Sequence, residues 1–119
     1  HRADMPYDEH LAARVRHSLH STPGLTERQM FGGITFLLHR HMCCGVINED
    51  LVVRLDAEDA DQALAQPFTR PMDFTGRPMN GYVYVAPGGT GTAAALNAWV
   101  RRAVAFAQSV PDGGERGKN

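Results

Sequence analysis

No apolar stretch in the 119-residue chain approaches the roughly 18 residues needed to span a bilayer, which excludes a helical membrane protein. Cysteine is scarce. The two present, Cys43 and Cys44, are adjacent, so they cannot build a disulfide framework, and they fit the reducing environment of a cytoplasmic protein. Neither sign of charge is in excess: twelve Lys plus Arg stand against thirteen Asp plus Glu, a formal net charge of −1. A protein that grips a phosphate backbone carries a basic footprint, so this balance argues against direct nucleic-acid binding. A Walker loop is missing, because no Gly-Lys-Ser/Thr follows a glycine-rich turn. What is there, 43% hydrophobic and 21% charged residues, is the composition of a folded globular domain and not of a disordered chain.

Met5 reads as the natural start, with residues 1–4 an addition ahead of it, and residues 112–119 contain no apolar side chain and read as a disordered tail. The expected domain is therefore 5–111. Asp8 is placed to cap a first helix, in which Leu11, Val15 and Leu19 recur every four residues until Thr22-Pro23-Gly24 stops it. A strand from about Leu25 to Phe31 and a Gly32-Gly33 turn or bulge follow. Ile34, Phe36 and Leu38 then alternate with Thr35, Leu37 and His39, the period of a strand with one preferred face. Arg40-His41 reads as a tight connection and Met42 to Ile47 as the returning partner. After Asn48-Glu49-Asp50, the residues Leu51, Val53 and Leu55 face one way. Ala57 to Ala65 is a short helix. Arg70 to Gly81, with two prolines and two glycines, is expected to be mostly loop; Tyr82 to Val85 is a strand. Thr92 caps the longest helix, Ala93 to about Ser109, with Leu96, Val100, Ala103, Val104 and Ala107 as its stripe. The order α-β-β-β-β-α-β-α predicts an α+β domain: a two-layer fold in which an antiparallel sheet of about five strands carries helices on one face.

Three segments carry chemistry-bearing residues. His39, His41, Cys43 and Cys44 gather four soft-metal ligands within six positions, which raises a small metal- or thiol-dependent enzyme as an alternative function. A structural metal site draws ligand pairs from two separate loops, and no second pair is present. Adjacent Cys43 and Cys44 should also point to opposite faces of a strand, leaving one in the core. A hairpin with buried thiols is the simpler reading, with no metal and no cofactor. Gly89-Thr90-Gly91-Thr92-Ala93-Ala94 fits the G-x-G-x-x-G/A pattern, but no second parallel strand or ribose-binding acid follows it, so it reads as a lead-in and cap for the last helix. Arg-Pro-Met occurs twice, at Arg70 and Arg77. Either arginine could pair with Asp73 to pin the loop, or join Arg54 in an anion or partner site. Tyr82 and Tyr84 share a strand face, and with Val83 and Val85 turned to the helices they would lie on the open side of the sheet, with Arg54 near. Aromatics with arginine suit a protein partner or a homodimer there. The candidate binding set is Arg54, Arg70, Asp73, Arg77, Tyr82 and Tyr84, with no catalytic residue.

The blocks Met30-Phe31-Gly32-Gly33-Ile34-Thr35-Phe36, Met42-Cys43-Cys44-Gly45-Val46 and Leu51-Val52-Val53-Arg54-Leu55 occur together with Arg70-Pro71-Met72-Asp73-Phe74-Thr75-Gly76-Arg77-Pro78-Met79-Asn80-Gly81-Tyr82-Val83-Tyr84-Val85 and a helix containing Ala98-Trp99-Val100. In combination they resemble the N-terminal domain of the TfoX family, over about Tyr7 to Pro111. The resemblance implies a secretion-chaperone-like α/β two-layer fold. It also implies a non-catalytic regulator, since the family's named members govern natural competence, acting with a cyclic-AMP receptor protein on promoters. Those members carry a second, helical C-terminal domain, and this chain has the length of the first domain alone.

Overall fold

The computed structural model describes residues 7–30, 32–74 and 77–110, with the side chains of Met30 and residues 72–80 outside that description. The expected leader 1–4 and tail 112–119 also lie outside it. Asp8, in extended backbone, accepts from the amides of His10 and Leu11 and so starts α1 (Glu9–Ser18). Glu9 in the first turn and Arg16 and His17 in the last complement the helix dipole. The helix turns Leu11, Ala12 and Val15 inward. β1 (Leu25–Met30), β2 (Gly33–Leu38), β3 (His41–Ile47) and β4 (Asp50–Arg54) follow as an antiparallel meander. Asp56 then caps α2 (Ala57–Ala63). β5 (Thr69–Phe74) and β6 (Arg77–Val85) form a further hairpin, a 3₁₀ turn spans Pro87–Gly89, and Thr92 accepts from the Ala95 amide to open α3 (Ala93–Ser109).

Among the described residues the sheet has six strands in the order β1-β2-β3-β4-β6-β5, one more than the sequence suggests. The extra strand is β5, in the segment expected to be loop. The prolines of this segment are tolerated because each sits where a neighbouring strand flanks the backbone on one side only. Pro71 lies on the edge strand, and Pro78 lies in the part of β6 beyond the Tyr82–Val85 stretch that pairs with β4.

The three helices of the described residues cover one face, as expected. Ile34, Phe36, Leu38, Val46, Leu51, Val53, Leu55, Val83 and Val85 meet Leu11, Val15 and Leu19 of the first helical segment and Leu96, Trp99, Val100 and Ala103 of α3 in a single core. α1 and α3 are tied further by the Ser18 hydroxyl, which donates to Asn97 Oδ1 at 2.6 Å. Ala60 and Ala63 bring α2 against the same core beside β6. No helix among the described residues is long and apolar enough to cross a membrane.

Two local departures from the sequence reading lie in the β2–β3 hairpin. The connection is His39-Arg40, both left-handed at φ 51° and 73°, and β3 already begins at His41. His39 is held there by Gly24: its amide donates to Gly24 O at 3.1 Å, and a Cβ on Gly24 would lie 2.8 Å from its Nδ1. Further along, Phe36 pairs with Cys44 and Leu37 with Met42, so Cys43 is the extra residue of a bulge. That insertion breaks the strict alternation of faces. Cys43 and Cys44 are both buried in the core, not one on each side.

Candidate interaction face

The face of the sheet opposite the helices carries Asp50, Val52 and Arg54 of β4, Tyr82 and Tyr84 of β6 and Arg70 of β5, since these alternate with core residues in the paired registers. Val83 and Val85 are fully buried on the helix side, which leaves both tyrosines half-buried on the other. Val52 sits between Gly45 and Tyr84 and is itself buried.

Two arginine–aromatic groups occupy this face. Arg70, paired in register with Tyr84, lies with its guanidinium carbon 4.3 Å from that ring's centre and crosses β6 to reach β4, where its Nη2 donates to Asp50 Oδ2 at 2.8 Å. The Asp50 side chain is only 11% exposed against 52% for Arg70, so the carboxylate is the sheltered partner and the arginine its route to solvent. Arg54, paired with Tyr82, stands 5.7 Å from the Tyr82 ring and 5.3 Å from Phe106 of α3, near the end of the sheet. Guanidinium over an aromatic face is an attractive, geometrically specific contact that leaves fork donors available.

Of the six residues singled out from the sequence, the structure thus brings together Arg70 with Tyr84 and Arg54 with Tyr82. Asp73 and Arg77 occupy strand positions opposite Pro78 and Phe74; their side chains lie outside the described residues, and with them the expected pairing to Asp73. The partner that Arg70 has is Asp50. In the sequence Asp50 reads as the last residue of a turn, and a contact across an intervening strand leaves no local spacing to detect.

The hairpin residues of the alternative reading do not converge in this way. Cys43 and Cys44 have no exposed surface. A hydrogen bond with Cys43, and then burial, push the Cys44 thiol well above its ordinary range, so it stays protonated and non-nucleophilic at neutral pH. His39 sits in the turn over Gly24, and His41 is half-buried with a sheltered Nε2 that has no hydrogen-bond partner among the described residues. Among the described residues no three His, Cys, Asp or Glu side chains are grouped to hold a metal ion. The glycine-rich lead-in to α3 is occupied from within the chain: Arg14 Nη2 donates to the carbonyls of Thr90, at 2.7 Å, and Thr92, at 3.4 Å.

The fold and this face define a small α+β domain: an open antiparallel sheet backed by helices, with arginines and tyrosines on the free side. The chain belongs to the TfoX N-terminal domain family, whose model matches residues 17–107, from within α1 to within α3. Comparison with curated proteins gave no match, and comparison with solved structures gave none.

Proposed function

We propose that this domain is a non-catalytic regulatory module of the cytoplasm that works by protein–protein contact, docking a partner protein or a second copy of itself on the open sheet face. The observation that supports this reading is the pairing of Arg70 with Tyr84 on the face without helices, and of Arg54 with Tyr82 at the end of the sheet where α3 also reaches it. Tyrosine and arginine are the side chains that most often dominate protein interfaces, because each combines apolar area with directional polar atoms. Arg70 is already oriented by Asp50, so little side-chain entropy remains to be lost on binding. Asp73 and Arg77, which pair with Pro78 and Phe74 in the same hairpin, complete the proposed contact set. The regulatory setting is that of the family, transcription and competence.

Size-exclusion chromatography with light scattering, over a rising concentration series, tests the homodimer. Affinity capture with Tyr84→Ala and Arg101→Ala as paired controls tests the partner. The expected outcome is association lost with Tyr84→Ala and kept with Arg101→Ala, which alters the helical side. A strict monomer whose captured proteins are the same with and without Tyr84 overturns the proposal.

A further inference from the structure

On the helical side, away from the sheet face, we propose a second binding site: the cleft between the α2–β5 turn and the first three turns of α3 takes an apolar carboxylate. Its apolar body would lie between Phe68 and Trp99, and its carboxylate would lie on Arg102. The site is independent of the interaction face.

Phe68 is unusual in both exposure and backbone. Among the described residues it is the large hydrophobic side chain left exposed, at 55%, and its backbone is left-handed at φ 68°, a conformation bulky residues rarely adopt. The turn is locked around it. The Ala86 amide donates to Phe68 O at 2.7 Å, and the Thr69 hydroxyl is shared between Ala63 O at 2.9 Å and Gln66 O at 2.8 Å. The ring rests on two consecutive glycines: a Cβ on Gly88 would fall 2.6 Å from its Cδ1, and one on Gly89 3.2 Å from its Cβ. A strained backbone and a cleared platform therefore hold an aromatic ring half in water. Core packing does not require that arrangement, and strain of this kind is characteristic of ligand sites.

Beside the ring is a cleft of about 270 Å³, floored by Ala95 and Ala98 and walled by Pro67, Phe68 and Trp99. That is just below the ~300–1,000 Å³ of drug-sized sites and suits a ligand with one ring. Arg102 closes it. Its guanidinium carbon is 5.0 Å from the Trp99 ring centre, and its Nη2 makes one long bond, 3.4 Å, to Asp59 O. The ion pairs among the described residues are Arg16–Glu27 and Arg70–Asp50, and Arg102 is in neither. A cation over an indole ring, with fork donors to spare at the mouth of an apolar cleft, matches a carboxylate attached to an apolar group. Such a group could be a free acid or the C-terminus of a peptide ending in an apolar residue.

Trp99 is the only tryptophan of the chain, so its fluorescence reports on the cleft directly. The full chain is titrated with phenylacetate, phenylacetamide, and a short peptide ending in phenylalanine as the free acid or the amide. The expected result is a saturable fluorescence change with the acids, weakened about tenfold by Arg102→Gln and by replacing the acid with the amide. Phe68→Leu, which keeps an apolar side chain, should weaken it as well, with far-UV circular dichroism unchanged. Tighter binding of the peptide acid assigns the source as a chain terminus; tighter binding of phenylacetate assigns a free acid. No saturation by either acid up to about 10 mM, or binding indifferent to Arg102→Gln, overturns the proposal.

Discussion

Replacing Gly88 by alanine adds one methyl group at a position where a β-carbon would fall 2.6 Å from Phe68 Cδ1 and 2.9 Å from its Cζ, more than half an ångström inside contact distance. The three nearest atoms all belong to this ring, the movable end of a half-exposed side chain, so it will leave the platform. A whole buried phenylalanine is worth about 1.5–3 kcal/mol, and Phe68 is a little under half shielded, so eviction costs about 1 kcal/mol. Against this, alanine for glycine at a compatible backbone position stabilises by about 0.4–1 kcal/mol through the unfolded chain. Gly88→Ala should therefore be close to neutral or mildly destabilising in the native sequence. With Phe68→Ala already in place there is no ring to displace, and the same change should stabilise by about 0.4–1 kcal/mol. The coupling between the two substitutions is thus about 1 kcal/mol, beyond the ~0.3–0.5 kcal/mol expected of independent sites. Urea unfolding followed by Trp99 fluorescence, on the four members of the cycle, measures it. Equal effects of Gly88→Ala in both backgrounds would refute the packing of Phe68 on the glycine pair.

Arg70→Ala should destabilise by about 1–2 kcal/mol. A charged hydrogen bond to a sheltered carboxylate is lost, discounted because Arg70 is half in solvent, together with a cation–π contact of about 0.5–1 kcal/mol. The Arg70→Ala and Asp50→Asn effects should be strongly non-additive in urea melts, and simple additivity contradicts the ion pair. The Cys44 thiol is raised in the folded protein, so above the ordinary thiol range the unfolded chain loses its proton first. Stability should be intact at neutral pH and fall as pH climbs toward the folded-state value, while Cys43→Ala/Cys44→Ala melts show no such alkaline fall; both native thiols should resist a disulfide reagent until the chain unfolds. Thr92→Ala removes the acceptor for the Ala95 amide and should lower stability by about 1 kcal/mol, with Thr92→Ser restoring most of it; no change contradicts the cap.

Much of this fold is written in local periodicity. The four-residue recurrence of Leu11, Val15 and Leu19, the alternation through Ile34, Phe36 and Leu38, and the stripe from Leu96 to Ala107 each follow from one face meeting the core. Strand β5 and the first part of β6, ahead of the Tyr82–Val85 stretch, were not legible, because proline and glycine signal a loop unless the neighbouring strands are known; Pro71 and Pro78 are harmless only where a ladder bond is absent. The bulge at Cys43 is a property of two strands together and leaves no mark in either alone. The arginines and tyrosines of the free face could be chosen from the sequence, yet the contact of Arg70 with Asp50 could not, since it runs over an intervening strand. Phe68 and the Gly88-Gly89 pair were likewise separated by twenty positions that only the folded chain brings together.

The two borders of the sheet have a consequence for self-association. β1 presents Glu27, Arg28 and Gln29, with Glu27 held by Arg16 of α1 at 2.6 Å, and β5 presents Arg70 and Pro71, the latter with no amide hydrogen to offer. An incoming strand would have to desolvate charge on one border and forgo a backbone bond on the other, so strand-by-strand polymerisation is disfavoured at both ends. Concentrating this protein should give discrete particles that remain in solution, not fibrils. A mutation most apt to change that outcome is one that removes charge from β1, such as Arg28→Val.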